Sequence, residues 1–177
     1  MPYIHPINTE TTSPEVTGIL TAVKNKLGMV PNMFATLAQA PAALKGYLGL
    51  AETLAAGRLT SAQRESIALA VGQANACQYC LSAHTLLGKG AGLSPSDIEQ
   101  ARTGRGATRL DAALAALARQ LTEERGLLAL SDLETYRQAG VDEGLMLEVV
   151  AAVALNTLTN YTNHIAGTEV DFPVVTV

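Results

Sequence analysis

The sequence predicts an all-α protein, and three observations support this class. First, 48% of the 177 residues are hydrophobic whereas only 4% are aromatic and none is Trp, so the core must be built from aliphatic side chains on closely packed helices. Second, helix-start and helix-stop signals punctuate the whole chain. Third, no segment shows the alternation and turn signals typical of strands. The length predicts one domain over residues 1–177.

The first part of the chain carries signals for three helices. Ser13 and Pro14 supply an N-cap and a proline in the first turn, and Gly28 is suited to end the helix that they begin. Further along, Pro31 and Pro41 mark two more helix starts. The expected elements are a helix over about 14–27, a short helical turn after Pro31, and a longer helix from Pro41 to near Gly57.

The middle of the chain, residues 58–91, contains the core motif. Thr60 and Gln63 have the spacing of a capping box, which predicts a helix to about Gln73. Its apolar stripe consists of Ile67, Ala70, Val71 and Ala74. Asn75 is a plausible N-cap for a second helix, which contains "CQYCLSAH" and ends at "GKGAG", so both cysteines are expected in a first helical turn.

Four further helices are expected in the last part of the chain. They begin at Ser94 and Pro95, run from Leu110 or Asp111 through Arg125, run from Ser131 to near Gly140, and run from Asp142 to about His164. The C-terminal stretch "TEVDFPVVTV" is apolar enough to pack against the body of the protein.

Charge and hydropathy exclude several kinds of partner. The formal net charge is -4 and no run of Lys or Arg is present, which argues against a nucleic-acid surface. No apolar stretch reaches the roughly 18 residues that a membrane span needs, and the N-terminus does not resemble a secretory signal. We therefore expect a cytoplasmic protein, in which a C-x-x-C pair is more often redox-active or metal-binding than a static crosslink.

The segment "CQYCLSAH" contains the only two cysteines of the chain. On a helix Cys77, Cys80 and His84 share one face, because they are three and four residues apart. A thiol in the first helical turn is favoured as thiolate by the helix dipole, and a neighbouring histidine can take its proton. If the preceding helix folds back around Asn75, Glu65 can approach His84 and orient it, which gives a Glu-His-Cys relay.

Such a relay suits thiolate attack on a peroxide. The attack leaves a sulfenic acid, with which a second cysteine condenses to form a disulfide, and an external dithiol then restores the pair. Cys80 lies nearer His84 and is predicted to be the peroxidatic residue. Cys77 lies nearer the helix start and is predicted to be the resolving residue that meets the reductant.

Other readings of the same residues stay open. The pair could belong to a thiol–disulfide oxidoreductase or electron relay that never meets peroxide, or to a helical oligomer that only binds a small apolar ligand. Zinc coordination by Cys77, Cys80, His84 and a distant His164 is a further alternative, although one continuous helix is not a usual frame for a closed site. Two buried thiols without chemical function are the simplest alternative.

The last helix carries an unusual polar face. Its members are Asn156, Asn160, Asn163 and His164, which must find partners if they are buried. They are expected to cap loops, contact a neighbouring subunit or line the pocket. Tyr79, Asn160 and His164 are the residues considered as possible pocket walls.

The stretch "RESIALAVGQANACQYCLSAH" resembles the core of the alkylhydroperoxidase D and carboxymuconolactone decarboxylase superfamily, in which a helical glutamate precedes a C-x-x-C-x-x-x-H signature. Glu65, Cys77, Cys80 and His84 each occupy a position of that pattern. The flanking "LGMVPNMFATLAQAPAAL" and "NTLTNYTNHIAGTEVDFP" are similar to the peroxidase-related branch. The resemblance therefore covers most of the chain.

The resemblance implies an AhpD-like helical bundle that assembles as a homotrimer or homohexamer, and a cofactor-free antioxidant peroxidase recharged by a lipoyl- or thioredoxin-like dithiol partner. No metal or organic cofactor is expected. Decarboxylases of the family typically lack the cysteine pair, which argues against decarboxylation here. The best-studied peroxidases of the family have a histidine between the cysteines, whereas this chain has Tyr79, a departure that bears on the efficiency of recycling and on the reductant.

Overall fold

The computed structural model describes residues 1–9 and 11–177, and the regular elements in that part of the chain are nine α-helices without a strand. The all-α class is thus confirmed. The helices are α1 (Pro14–Leu27), α2 (Asn32–Leu37), α3 (Pro41–Ala55), α4 (Ser61–Ala74), α5 (Gln78–Gly90), α6 (Pro95–Arg102), α7 (Arg109–Glu123), α8 (Leu130–Gln138) and α9 (Glu143–Ala166).

Four of the predicted helix starts are confirmed by side-chain caps, at Ser13, Thr60, Ser94 and Asp142. The Ser13 side chain accepts a hydrogen bond from the Val16 amide at the start of α1, and Thr60 and Gln63 form the expected capping box of α4. The prediction for α5 was wrong in one respect. Its N-cap is Cys77 rather than Asn75, which instead ends α4.

The helix α4 lies at the centre of the fold. It packs against α5, α6, α7 and α9, and six consecutive residues from Ile67 to Gly72 are buried. Burial is therefore continuous around this part of the helix, whereas the sequence predicted a single apolar stripe. A helix that is surrounded by four neighbours needs apolar or small residues on every face.

The buried apolar residues form three clusters. The largest joins α4 with α7 and α9 through residues such as Leu114, Leu117 and Val149. A second cluster contains both cysteines and joins α5 with α1, α2 and α3. A third, small cluster joins α4, α5 and α6. The cysteine pair thus lies inside the second cluster and not at the protein surface.

A tight turn connects α4 to α5 and fixes the start of the cysteine helix. The Cys77 amide donates to the Gly72 carbonyl at 2.8 Å and the Ala76 amide donates to the Gln73 carbonyl at 3.1 Å, which is the hydrogen-bond pattern of a Schellman motif. Ala76 has a φ of +53°, in the left-handed region that favours glycine. Because this motif ends α4 at Asn75, the next N-cap position falls on Cys77.

Both ends of the chain pack on this body. The C-terminal strap, residues 168–177, crosses α5, where the Val175 amide donates to Ser82 Oγ at 3.0 Å. Arg102 Nη2 also donates to the Thr176 carbonyl at 2.8 Å. At the N-terminus the Tyr3 amide donates to the Ala166 carbonyl. The prediction that the C-terminal stretch packs is therefore confirmed.

The helix α9 carries apolar residues on its outer side as well as on its buried side. Its outer apolar row consists of Leu147, Val150, Ala154, Leu158, Tyr161 and Ile165, all of which are exposed. We call these six residues the α9 face. Within the described residues, no helix combines the length and the hydropathy that crossing a bilayer requires.

The strained residue in the α4–α5 turn gives a first prediction. Ala76→Gly should raise the free energy of unfolding by about 1 kcal/mol, because glycine adopts a positive φ without steric cost. Ala91, the C-cap of α5, has a φ of -83°, so Ala91→Gly should instead lower it by roughly 0.5–1 kcal/mol. Urea denaturation of the three proteins measures both changes. Equal loss of stability in the two variants would contradict the assigned role of Ala76.

Candidate functional site

The two cysteines form a disulfide at the N-terminus of α5. Cys77 is the N-cap, and its Sγ accepts a hydrogen bond from the Cys80 amide at 3.3 Å. Their exposed fractions are only 1% and 2%. The positive end of the helix dipole and the amide donor both favour negative charge on the Cys77 sulfur when the bond opens.

His84 and Glu65 are in direct contact. Glu65 Oε2 lies 2.8 Å from His84 Nδ1, and the two side chains are 21% and 19% exposed. The contact joins α4 and α5, which run antiparallel on either side of the Schellman turn. Since Glu65 occupies Nδ1, the ring orientation is fixed and Nε2 is the nitrogen left for proton transfer. Sequence reasoning had placed these residues together on the same grounds.

A cavity of about 290 Å³ lies against Cys80 and His84. Its other walls come from α1, α2, α3, α9 and the strap, and they are mainly apolar. They include Met33, Phe34, Tyr47, Leu87, Thr159 and Phe172. Cys80 lines the cavity whereas Cys77 does not, so a small molecule in the cavity meets the Cys80 sulfur first.

Tyr79, between the cysteines, is also a wall of this cavity, as predicted from the sequence. Its hydroxyl donates to Asp171 Oδ1 at 2.8 Å and accepts a hydrogen bond from the Met33 amide at 3.2 Å. The ring meets Phe172 edge-on. Burial raises the pKa of Tyr79 far above its ordinary value. The phenol therefore stays neutral and holds the strap and α2 in place.

The Asp171 carboxylate completes this network. Its Oδ2 accepts a hydrogen bond from the Asn32 amide at 2.7 Å, at the start of α2. Asp171 was not identified from the sequence, because it lies in the C-terminal stretch, 92 residues from Tyr79. The short distance between them exists only because the strap folds back across α5.

The polar face of α9 divides in two. Asn156, Asn160 and Asn163 are buried, whereas His164 is exposed. The prediction that His164 lines the pocket was wrong, because one residue advances the helix by about 100° and turns position 164 outward. Asn160 also lies outside the cavity lining, and its Oδ1 accepts a hydrogen bond from Asn75 Nδ2 at 2.9 Å.

Asn163 is the member of this face that reaches the site. Its Nδ2 donates to Cys80 Sγ at 3.4 Å, and the residue lines the cavity. Sequence analysis placed Asn163 on the polar face but not beside the sulfur. The signal in the sequence was an amide side chain at a position that faces the interior in a largely apolar helix.

The zinc alternative needed four residues around one point. Over residues 1–9 and 11–177, no three His, Cys, Asp or Glu side chains are grouped closely enough to hold a metal ion. The two sulfur atoms are bonded to each other and His84 is engaged by Glu65. The grouping that the structure does present is an oxidised dithiol with a histidine–carboxylate pair.

The sequence of one region matches a known protein family. The model of the carboxymuconolactone decarboxylase family matches residues 41–123, which extend from the start of α3 to the end of α7 and include the Glu65, Cys77, Cys80 and His84 positions. A search of the curated proteins finds no match to the chain.

Several solved structures share the fold. A peroxidase-related protein of Ralstonia eutropha, described as an alkylhydroperoxidase AhpD core, superposes with a TM-score of 0.85 at 23% identity over 95% of this chain and 92% of that one. A peroxidase-related protein of a Silicibacter species gives 0.80 at 20% identity, over 94% and 92%. The debrominase Bmp8 in complex with 2,3,4-tribromopyrrole gives 0.80 at 16% identity, over 96% and 91%.

The cavity tyrosine Tyr47 gives a pH prediction. Burial, and to a lesser degree the Glu65 carboxylate, raises the pKa of Tyr47 to about 12. Between pH 10 and 12 the unfolded chain ionises this phenol but the folded protein does not, so its contribution to the free energy of unfolding falls as pH rises. In Tyr47→Phe the free energy of unfolding should therefore fall less steeply, by up to about 1.4 kcal/mol per pH unit. Urea denaturation of both proteins at pH 10, 11 and 12 measures the free energy of unfolding. Equal dependence of this free energy on pH in the two proteins would contradict the prediction.

Proposed function

We propose that this chain is a cysteine-based peroxidase with an antioxidant role, on the premise that residues 41–123 match the carboxymuconolactone decarboxylase family and that the fold is that of an alkylhydroperoxidase AhpD core. The observation that carries the proposal is the position of Cys80. It is half of a disulfide, it lines an apolar cavity, and it lies one helical turn from a histidine oriented by Glu65. A redox-active sulfur, a proton-transfer group and a substrate-sized space thus occur at one point.

The proposed reaction begins with the reduced pair. His84 takes the proton of Cys80, and the thiolate attacks the terminal oxygen of the hydroperoxide. The O–O bond breaks and an S–O bond forms, so sulfur is oxidised to a sulfenic acid and the peroxide is reduced to an alkoxide. The alkoxide takes the proton back from His84 and leaves as an alcohol.

The second step closes the disulfide. The Cys77 thiolate attacks the Cys80 sulfenic acid, an S–S bond forms, and the hydroxyl leaves as water after protonation. The Cys80 amide and the helix dipole support the Cys77 thiolate in this step. Because Tyr79 is held by Asp171 and stays neutral, resolution in this protein depends on the helix N-terminus and not on a side chain between the cysteines.

Reduction of the disulfide requires an external dithiol, which we propose to be of lipoyl or thioredoxin type. The sequence suggested that Cys77 meets this partner. In the structure Cys77 is buried outside the cavity lining, whereas Cys80 is reached through the cavity. The reductant is therefore proposed to attack Cys80, with Cys77 leaving as the thiolate that the α5 N-terminus favours.

The same cavity supports a second candidate, reductive removal of halogen from a small aromatic ring. Four aromatic side chains, Phe34, Tyr47, Tyr79 and Phe172, surround the space beside Cys80. Such walls suit a flat ring as well as an alkyl chain. One debrominase with this fold has been solved with a tribromopyrrole, so a brominated pyrrole is the appropriate competing substrate in any assay.

Serine replacement of each cysteine tests the proposed function. Cys80→Ser should abolish hydroperoxide consumption, whereas Cys77→Ser should allow one turnover and then stop at the sulfenic acid. Peroxide loss and the mass of the Cys80 peptide measure both outcomes, with cumene hydroperoxide and tribromopyrrole supplied in parallel. Full peroxidase activity in Cys80→Ser would exclude the proposal. Turnover of the pyrrole alone would favour dehalogenation, and exchange with small disulfides alone would favour an electron relay.

The α9 face supports the expected homo-oligomer, whose partner we propose to be a second copy of this chain. Its residues recur at intervals of three and four over five turns and include no charge, a repeat that is complementary to itself. Contiguous exposed apolar patches commonly mark protein–protein interfaces. The trimeric or hexameric number is carried over from the family resemblance.

Charge placed on this face tests the assembly. Leu158→Lys together with Ile165→Lys should convert a trimer or hexamer into monomers, because burying two lysines in an apolar interface is unfavourable. Val174→Lys is the matched control, since Val174 is as exposed as Ile165 but lies on the strap. Light scattering coupled to gel filtration measures the mass. A monomeric unmodified protein would exclude the interface.

A further inference from the structure

The side-chain amide of Asn163 lies in the site but takes no part in the proposed peroxidase cycle. Asn163 is 5% exposed on α9, and its Nδ2 donates to Cys80 Sγ at 3.4 Å. Its other polar atom, Oδ1, is buried and has no hydrogen-bond partner in the described structure. A buried amide acceptor without a partner is uncommon, and this one belongs to the side chain that contacts the Cys80 sulfur.

We propose that Asn163 positions both reactants of the first step: its N–H group holds the Cys80 thiolate, and its carbonyl oxygen accepts the hydroxyl hydrogen of the hydroperoxide. This inference rests on the proposed function. A disulfide sulfur is a weak acceptor, whereas a thiolate is an anion, so the Nδ2 contact strengthens when the pair is reduced. The bond to α9 then directs the sulfur toward the cavity and away from Cys77.

The geometry of an amide explains why one side chain serves both roles. The N–H and C=O groups of Asn163 lie in one plane and are adjacent, so the donor contact to Cys80 Sγ keeps the acceptor close to the sulfur. In the attack the terminal oxygen keeps its hydrogen and becomes the hydroxyl of the sulfenic acid. Asn163 Oδ1 accepts a hydrogen bond from that hydroxyl when the peroxide approaches. It keeps this hydrogen bond until the hydroxyl leaves as water.

Asn160 provides a matched control on the same helix. It is also fully buried and also has one amide atom without a partner, Nδ2, but its oxygen is bonded to Asn75 and not to the site. Asn160→Leu and Asn163→Leu therefore remove comparable buried amides. Only the second removes a group that contacts Cys80.

The thiolate role is tested without peroxide. In the Cys77→Ser background Cys80 is the only thiol, and its rate of alkylation by iodoacetamide reports the thiolate. Asn163→Leu should move the half-maximal pH of alkylation upward by about one unit, because a donor to the charged form is lost. Asn163→Ala should move it in the same direction, and Asn160→Leu should leave it in place. Unchanged midpoints in both Asn163 variants would overturn this role.

The acceptor role is tested at a pH where Cys80 is fully ionised in every variant. There Asn163→Leu should form sulfenic acid from cumene hydroperoxide about tenfold more slowly than the parent, while its alkylation rate stays equal. Equal sulfenic acid rates would overturn the acceptor role. If the parent forms no sulfenic acid with any hydroperoxide, the proposed function and the acceptor role fail together, and the alkylation midpoints still decide whether Asn163 holds the sulfur.

Discussion

The close antiparallel packing of α4 on α5 is the constraint on which the rest of the site depends. The Schellman turn between them ends one helix at Asn75 and starts the next at Cys77, so the cysteine becomes the N-cap. The same pairing brings Glu65 within 2.8 Å of His84. Gly72 of α4 lies beside the side chains of Cys80 and Leu81 on α5. One backbone arrangement therefore sets the sulfur, its histidine and the helix dipole together.

The C-terminal strap and α9 pack against the α4–α5 hairpin and complete the cavity. The C-terminal strap contributes Asp171 and Phe172, and α9 contributes Asn163, so the cavity exists only when distant parts of the chain converge on α5. The walls are almost entirely apolar, and among their polar groups Tyr79, His84 and Thr159 are hydrogen-bonded while Asn163 contacts the sulfur. Low polarity strengthens the few electrostatic contacts that remain, which suits chemistry at a thiolate.

Similarity of fold does not by itself identify the reaction. Peroxidase-related proteins and a debrominase share this arrangement of helices at 16–23% identity over nearly their whole lengths. One scaffold can host more than one reaction, because the site residues and not the fold select the substrate. In this chain the position between the cysteines is a neutral tyrosine bound to a carboxylate, and the sulfur is held by an amide from α9. Those two contacts distinguish this site from a generic dithiol.

The sequence by itself determined the helical class, most helix starts, and the group of Glu65, Cys77, Cys80 and His84, because capping and helical spacing are local and act within one hairpin. Tertiary structure decided what depends on distant residues. It chose Cys77 over Asn75 as the N-cap, turned His164 outward, and brought Asp171 and Asn163 to the site. Such contacts arise from how separate helices converge, and no spacing along the chain encodes that convergence.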